Sequence, residues 1–150
     1  MCIRDRKPPF DCFDSAQTPL QLAAYSSSIE IAKLLISRGA AINVPHSCGA
    51  TALQNSIMAR NLEITHLLLE NGADIDACFG ESNSPLSWAL STGQKDLFED
   101  LLNRGAQVNI PDQYQGRYNG STPLQSAVKM EDYDSVIKLC LLYTSDAADE

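Results

Sequence analysis

The chain has 150 residues and a mass of 16.3 kDa, room for one domain, with 44% hydrophobic and 20% charged residues, a globular balance that argues against wholesale disorder. No stretch reaches the roughly 20 apolar residues of a membrane-spanning helix, and Pro8, Pro9, Asp11 and Asp14 interrupt the start where a secretory signal needs an apolar run. A net charge of −8 disfavours a nucleic-acid partner, and five cysteines without paired spacing fit the reduced thiols of a cytoplasmic protein better than a disulfide framework.

In chain order, Pro8-Pro9-Phe10-Asp11-Cys12-Phe13-Asp14 reads as a loop. Thr18-Pro19 reads as a helix start. Thr offers a side-chain oxygen to the first free N–H groups, and Pro at the first helical position has no N–H to leave unsatisfied. Leu20, Leu22, Ala23 and Ala24 predict a short apolar helix, broken by Tyr25-Ser26-Ser27-Ser28. Ile31, Ala32, Leu34, Leu35 and Ile36 then predict a second helix, with Ile31 in the core. Gly39 ends it, because glycine takes a left-handed cap at no steric cost. Unit two repeats this with Leu53 and Ile57, then Ile64, Leu67, Leu68, Leu69 and Gly72. Unit three has Leu86, Trp88, Ala89 and Leu90, then Leu97, Phe98, Leu101, Leu102 and Gly105.

Three markers keep step. Thr18-Pro19-Leu20 recurs as Thr51-Ala52-Leu53, Ser84-Pro85-Leu86 and Thr122-Pro123-Leu124, at spacings of 33, 33 and 38. Gly39-Ala40, Gly72-Ala73 and Gly105-Ala106 are each 33 apart, and Ile42-Asn43, Ile75-Asp76 and Val108-Asn109 follow them. A helix pair this small cannot bury its own apolar face, so it must stack on copies of itself. The predicted fold is all-α, an open solenoid of helix–turn–helix units joined by loops, here termed fingers.

The unit resembles the ankyrin repeat, whose motif runs Gly-x-Thr-Pro-Leu-His-x-Ala, then a helix, then Gly-Ala-Asp-Val-Asn. The likeness is most specific at Thr18-Pro19-Leu20, Ala23-Ala24, Gly72-Ala73-Asp74-Ile75-Asp76 and Thr122-Pro123-Leu124. It covers about residues 15–139, with units at about 15–46, 47–79, 80–112 and a truncated 120–139. The motif's His, which bridges neighbouring turns in that family, is Gln21, Gln54, Ser87 and Gln125 here. Gln has the reach for the same bridge; Ser87 is expected to fall short. The resemblance implies β-hairpin-like fingers.

The period fails at both ends. Gly-Ala is due at 6–7 and 143–144, where Arg6-Lys7 and Tyr143-Thr144 stand. Met1-Cys2-Ile3-Arg4-Asp5-Arg6 resembles a translated transposase adapter from sequencing libraries. Residues 140–150 resemble its reverse complement in another frame. The expectation is that 1–6 and 140–150 are foreign and that 7–139 is an interior fragment of a longer repeat protein.

No catalytic constellation emerges. His66 reads as a solvent-facing helix residue, and no phosphate-binding glycine loop is present. His46 and Cys48 with Cys12 and Cys78 are poor zinc ligands, because Cys12 and Cys78 stand two periods apart. That separation is on the order of 20 Å, whereas Zn–S bonds are about 2.3 Å. Trp88 reads as packing between units, and Asp100, at the place of Leu34 and Leu67, marks that place as peripheral. Acids such as Glu63, Glu70, Asp96 and Glu99 read as a solvated face. Residues 110–120 form a finger lengthened by five residues and carry Tyr114, Arg117 and Tyr118, which fit either an interface or a tolerated insertion.

The expected function is a non-catalytic module binding a protein partner, with no cofactor, metal, nucleic acid, membrane or small-molecule substrate. The alternative is a structural spacer in a multidomain enzyme or signalling protein. The ankyrin resemblance implies recognition by fingers and the concave first-helix face. In unit one these positions are Asp14, Ser15, Gln17, Tyr25 and Ser26; in unit two, Ser47, Cys48, Ala50, Met58 and Ala59. In unit three they are Gly80, Glu81, Asn83, Ser91 and Thr92, joined by Tyr114, Arg117 and Tyr118.

Overall fold

The computed structural model describes residues 17–46, 49–78, 83–108 and 122–146. They form eight helices: α1 (Pro19–Tyr25), α2 (Ile29–Ser37), α3 (Ala52–Met58), α4 (Leu62–Glu70), α5 (Pro85–Ser91), α6 (Lys95–Asn103), α7 (Pro123–Lys129) and α8 (Tyr133–Asp146). Among the described residues there is no strand, and no helix is long and apolar enough to cross a membrane.

The expected starts are built as reciprocal caps. Thr18, Thr51 and Thr122 accept from the N–H groups of Gln21, Gln54 and Gln125. The glutamine Oε1 atoms accept in return from the threonine N–H groups at 2.8, 2.7 and 3.1 Å. Each pair satisfies two N–H groups that a helix start leaves open. In unit three Ser84 Oγ accepts from the Ser87 N–H at 3.2 Å.

The turn from first to second helix uses a left-handed residue at the same place in every unit: Ser27, Arg60, Gly93 and Glu131, with φ of 59, 56, 69 and 54°. Gly39, Gly72 and Gly105, at φ of 82, 88 and 87°, close α2, α4 and α6. Behind them the Ala40, Ala73 and Ala106 N–H groups reach back to the Leu35, Leu68 and Leu101 carbonyls. Tyr143 stands where α8 would need that glycine, and α8 runs on to Asp146.

Each first helix packs on the next, α1 on α3, α3 on α5 and α5 on α7, and each pairs with the second helix of its own unit. Buried Ala23, Ala24, Ala52, Ala89 and Ala127 let the first-helix row approach closely. Leu20, Leu53 and Leu86 with Ile57, Ile64, Leu68, Leu97, Phe98 and Leu101 form one continuous core.

Unit one departs from the expected core. Leu22 is 56% and Ile31 54% exposed, whereas Asn55 and Ile64 at the same places in unit two are 7% and 0% exposed. These places face the preceding unit, and among the described residues none precedes α1. Val128 on α7 mirrors this at 59%, against 0% for Ile57 and 4% for Leu90, because its place faces the following unit.

Candidate interaction surface

The fingers are tied to the helices by buried amides. Gln21 Nε2 donates to the Val44 and Ala50 carbonyls at 2.7 and 3.3 Å. Gln54 Nε2 donates to those of Ala77 and Asn83, both at 2.8 Å. Both amides thus span the chain leaving one unit and entering the next, the bridge expected of the motif's His. The corresponding partners of Ser87 lie outside the described residues.

A second set of bonds runs along the stack. Asn43 Nδ2 donates to Gly72 O at 2.9 Å, and Asn43 Oδ1 accepts from Asp74 N–H at 2.8 Å. One unit on, Asp76 Oδ1 accepts from Gln107 N–H at 2.8 Å. In the first finger the His46 N–H donates to Ala50 O and the Gly49 N–H to His46 O, each at 2.8 Å. The fingers therefore leave a base fixed by main-chain and amide contacts.

Tyr25, Met58 and Ser91 occupy one repeat position at the C-terminal ends of α1, α3 and α5, and Ser26, Ala59 and Thr92 occupy the next. Tyr25, Ser26 and Ser91 are exposed; Met58, Ala59 and Thr92 are half-buried. Gln17, Ala50 and Asn83, half-buried, flank the helix starts. Some of these groups are already engaged within the stack. Thr92 O accepts from the Arg60 guanidinium, and Thr92 Oγ1 donates to Trp88 O at 2.8 Å. The Ala50 and Asn83 carbonyls hold the glutamine bridges. Asp14, Ser15, Ser47, Cys48, Gly80, Glu81, Tyr114, Arg117 and Tyr118 lie outside the described residues.

Trp88 packs against the core. His66 Nδ1 lies 3.8 Å from Asp100 Oδ2 and 3.4 Å from the Arg104 guanidinium, on the second-helix side. Among the described residues no three His, Cys, Asp or Glu side chains are grouped to hold a metal. Cys78 is half-buried, and Cys12 and Cys48 lie outside those residues.

The second helices carry a ladder of ion pairs that the sequence reading missed. Lys33 faces Glu63 at 3.9 Å, Lys95 meets Asp132 at 2.9 Å, and Lys138 bonds Glu99. Their partners stand a whole unit away, so no local spacing announces them. Arg104–Asp100, at 2.8 Å and four residues apart on α6, was open to detection. The bond from Lys95, aided by Ser135, holds the Asp132 carboxyl below its ordinary pKa against the opposing effect of desolvation. Asp132 in turn raises Lys95.

This geometry comprises small-residue first helices, capped Thr/Ser-Pro/Ala-Leu starts and glycine-closed second helices at a 33-residue step. A comparison with curated proteins finds no match. The family model described as ankyrin repeats (3 copies) matches residues 5–78 and 20–112, and α7 and α8 continue the same pattern beyond them. With most of its length so matched, the chain belongs to the ankyrin-repeat family.

Proposed function

We propose that this chain is a non-catalytic module that binds another protein through its fingers and the exposed row on the first helices. Ankyrin repeats are in general protein–protein interaction modules. The observation that carries the reading is the division of labour within each unit. Gln21, Gln54, Asn43 and Asp76 lock the finger bases by hydrogen bonds, while Tyr25, Ser26 and Ser91 on the first helices stay exposed. Those exposed side chains can change without opening the core, the condition for a recognition surface on a rigid scaffold. Tyr114, Arg117 and Tyr118 extend this surface in the proposal, because aromatic and guanidinium groups combine contact area with directed hydrogen bonds.

The test needs a protein partner, recovered by pull-down with this chain and assayed by titration. Deleting residues 113–118 returns the long finger close to ordinary length and leaves the melting midpoint almost unchanged. Affinity is expected to fall about thirtyfold, as is expected for Tyr25→Ala, equivalent to about 2 kcal/mol each. Undiminished binding by both variants refutes this surface. Failure of the chain to retain any partner favours the spacer reading.

A further inference from the structure

The end of α4 places an asparagine directly before the glycine that closes the helix. Asn71 is the C-cap of α4, at φ −99° and ψ 17°, and Gly72 follows in the left-handed region at φ 88°. Both are exposed. A methyl group at Gly72 would meet no atom within 4 Å, so the space around its main chain is open. Among the described residues Asn71 is the one asparagine with glycine after it; Asn43, Asn55, Asn61, Asn83 and Asn103 precede larger residues.

That pairing is chemically reactive. The Gly72 nitrogen, with no adjoining Cβ to shield it, can attack Asn71 Cγ. A C–N bond forms, the Cγ–Nδ2 bond breaks, and the amide nitrogen leaves as ammonia with the proton lost by Gly72 N. Water then opens the cyclic imide at either carbonyl, giving aspartate or its β-linked isomer, isoaspartate. In the closed helix end both reacting groups are engaged. Asn71 Nδ2 donates to Leu67 O at 2.8 Å, and the Gly72 N–H donates to Leu69 O at 3.3 Å. The reaction therefore runs through opening of the last turn of α4, the kind of local opening that exposed helix ends undergo.

We propose that Asn71 is a spontaneous deamidation site, held in check by the α4 cap, whose product loosens unit one from unit two. The product is ill suited to its place. Units one and three carry Arg38 and Arg104 there, cations that suit the negative end of a helix, whereas deamidation puts a carboxylate between Glu70 and nearby Asp74. It also removes the side-chain donor to Leu67 O. Isoaspartate adds a carbon to the main chain immediately before Gly72. Gly72 O and the Asp74 N–H are the two groups that Asn43 of unit one holds, at 2.9 and 2.8 Å. Lengthening the chain there displaces both. Opening of the imide by water does not return the amide, so the change runs one way.

Ageing the 150-residue protein in mildly alkaline buffer, followed by peptide mapping with mass spectrometry, tests this. Asn71 is expected to convert to a mixture of aspartate and isoaspartate, at least about tenfold more slowly than in a free peptide of residues 67–76. Asn43→Ala, which releases Gly72 O and the Asp74 N–H, is expected to speed conversion in the folded protein. The aged protein is expected to melt at a lower urea midpoint than the fresh protein. Asn71→Gln, which keeps an amide but closes the imide far more slowly, is expected to hold its midpoint through the same ageing. That control separates Asn71 from the second Asn-Gly step, Asn119-Gly120, which lies outside the described residues. No conversion at Asn71 while the free peptide converts overturns the site. Equal rates in protein and peptide overturn the check by the α4 cap. An unchanged rate in Asn43→Ala, or equal midpoint losses in the aged protein and aged Asn71→Gln, overturns the link between units.

Discussion

Gln54→Ala is the substitution that most directly tests how the units are joined. Gln54 is fully buried, and its side chain serves three main-chain groups: it accepts from Thr51 N–H at 2.7 Å and donates to Ala77 O and Asn83 O at 2.8 Å each. Thr51 and Ala77 are themselves buried, so water does not readily replace the lost partners. A buried polar group stripped of its partner costs about 1–3 kcal/mol, and a carbonyl with a second lone pair or near solvent sits at the low end. Half-buried Asn83 belongs to that low end. Gln54→Ala is therefore expected to cost about 3 kcal/mol. Gln125→Ala is the control, because Gln125 is exposed and bonds to Thr122 in its cap. Its loss is expected to cost about 0.5–1 kcal/mol. Gln54→His, which restores the residue of the ankyrin motif, is expected to cost less than Gln54→Ala. Urea melts of the three variants, compared through midpoint and slope, measure the differences. Equal losses for Gln54→Ala and Gln125→Ala would refute the idea that the buried amide ties one unit to the next.

Three further outcomes follow from burial and charge. Leu68→Ala is expected to cost about 2–5 kcal/mol in the same melts, because Leu68 is fully buried with units on both sides. Thr51→Ala, a lost cap, is expected to cost about 1 kcal/mol. Equal losses would contradict the assignment of Leu68 to the core. Hydrogen exchange is expected to be slowest within residues 51–105, which hold Ile57, Ile64, Leu68, Leu97 and Leu101 under cover from both neighbours; slowest exchange in residues 122–139 would contradict it. The Lys95–Asp132 pair, with the Asp132 pKa lowered from 3.8, stabilises the fold above that pH, and its contribution fades as pH falls through the lower folded value. Asp132→Asn is expected to remove this part of the acid dependence from a pH series of melts; an identical series for both proteins would rule the pair out as its source.

Much of this architecture was legible before any coordinates. The 33-residue step, the Thr/Ser-Pro/Ala-Leu starts and the Gly-Ala stops place the starts of α1, α3, α5 and α7 and the ends of α2, α4 and α6 within a residue or two. Caps and left-handed turns depend on the residue itself and its neighbours within one helical turn, so linear spacing carries them. The bridging role of Gln21 and Gln54 was legible because the family motif names that position. Of the candidate surface, the sequence indicated which positions share a row, such as Tyr25, Met58 and Ser91, but not their exposure. The engagement of Thr92 by Arg60 was not readable, since these residues are 32 apart.

The sequence by itself determined where helices start, stop and repeat, since those features rest on local hydrogen bonding and φ preferences. Only the tertiary structure decided what each apolar residue does. Ile31 and Ile64 are the same residue at the same place in the unit, yet one is exposed and the other sealed. The ion pairs Lys95–Asp132 and Glu99–Lys138 likewise exist only because α6 and α8 are neighbours in space. In a stack, burial and pairing depend on the unit before and the unit after, so they follow from position along the solenoid rather than from the residue's own surroundings in the chain.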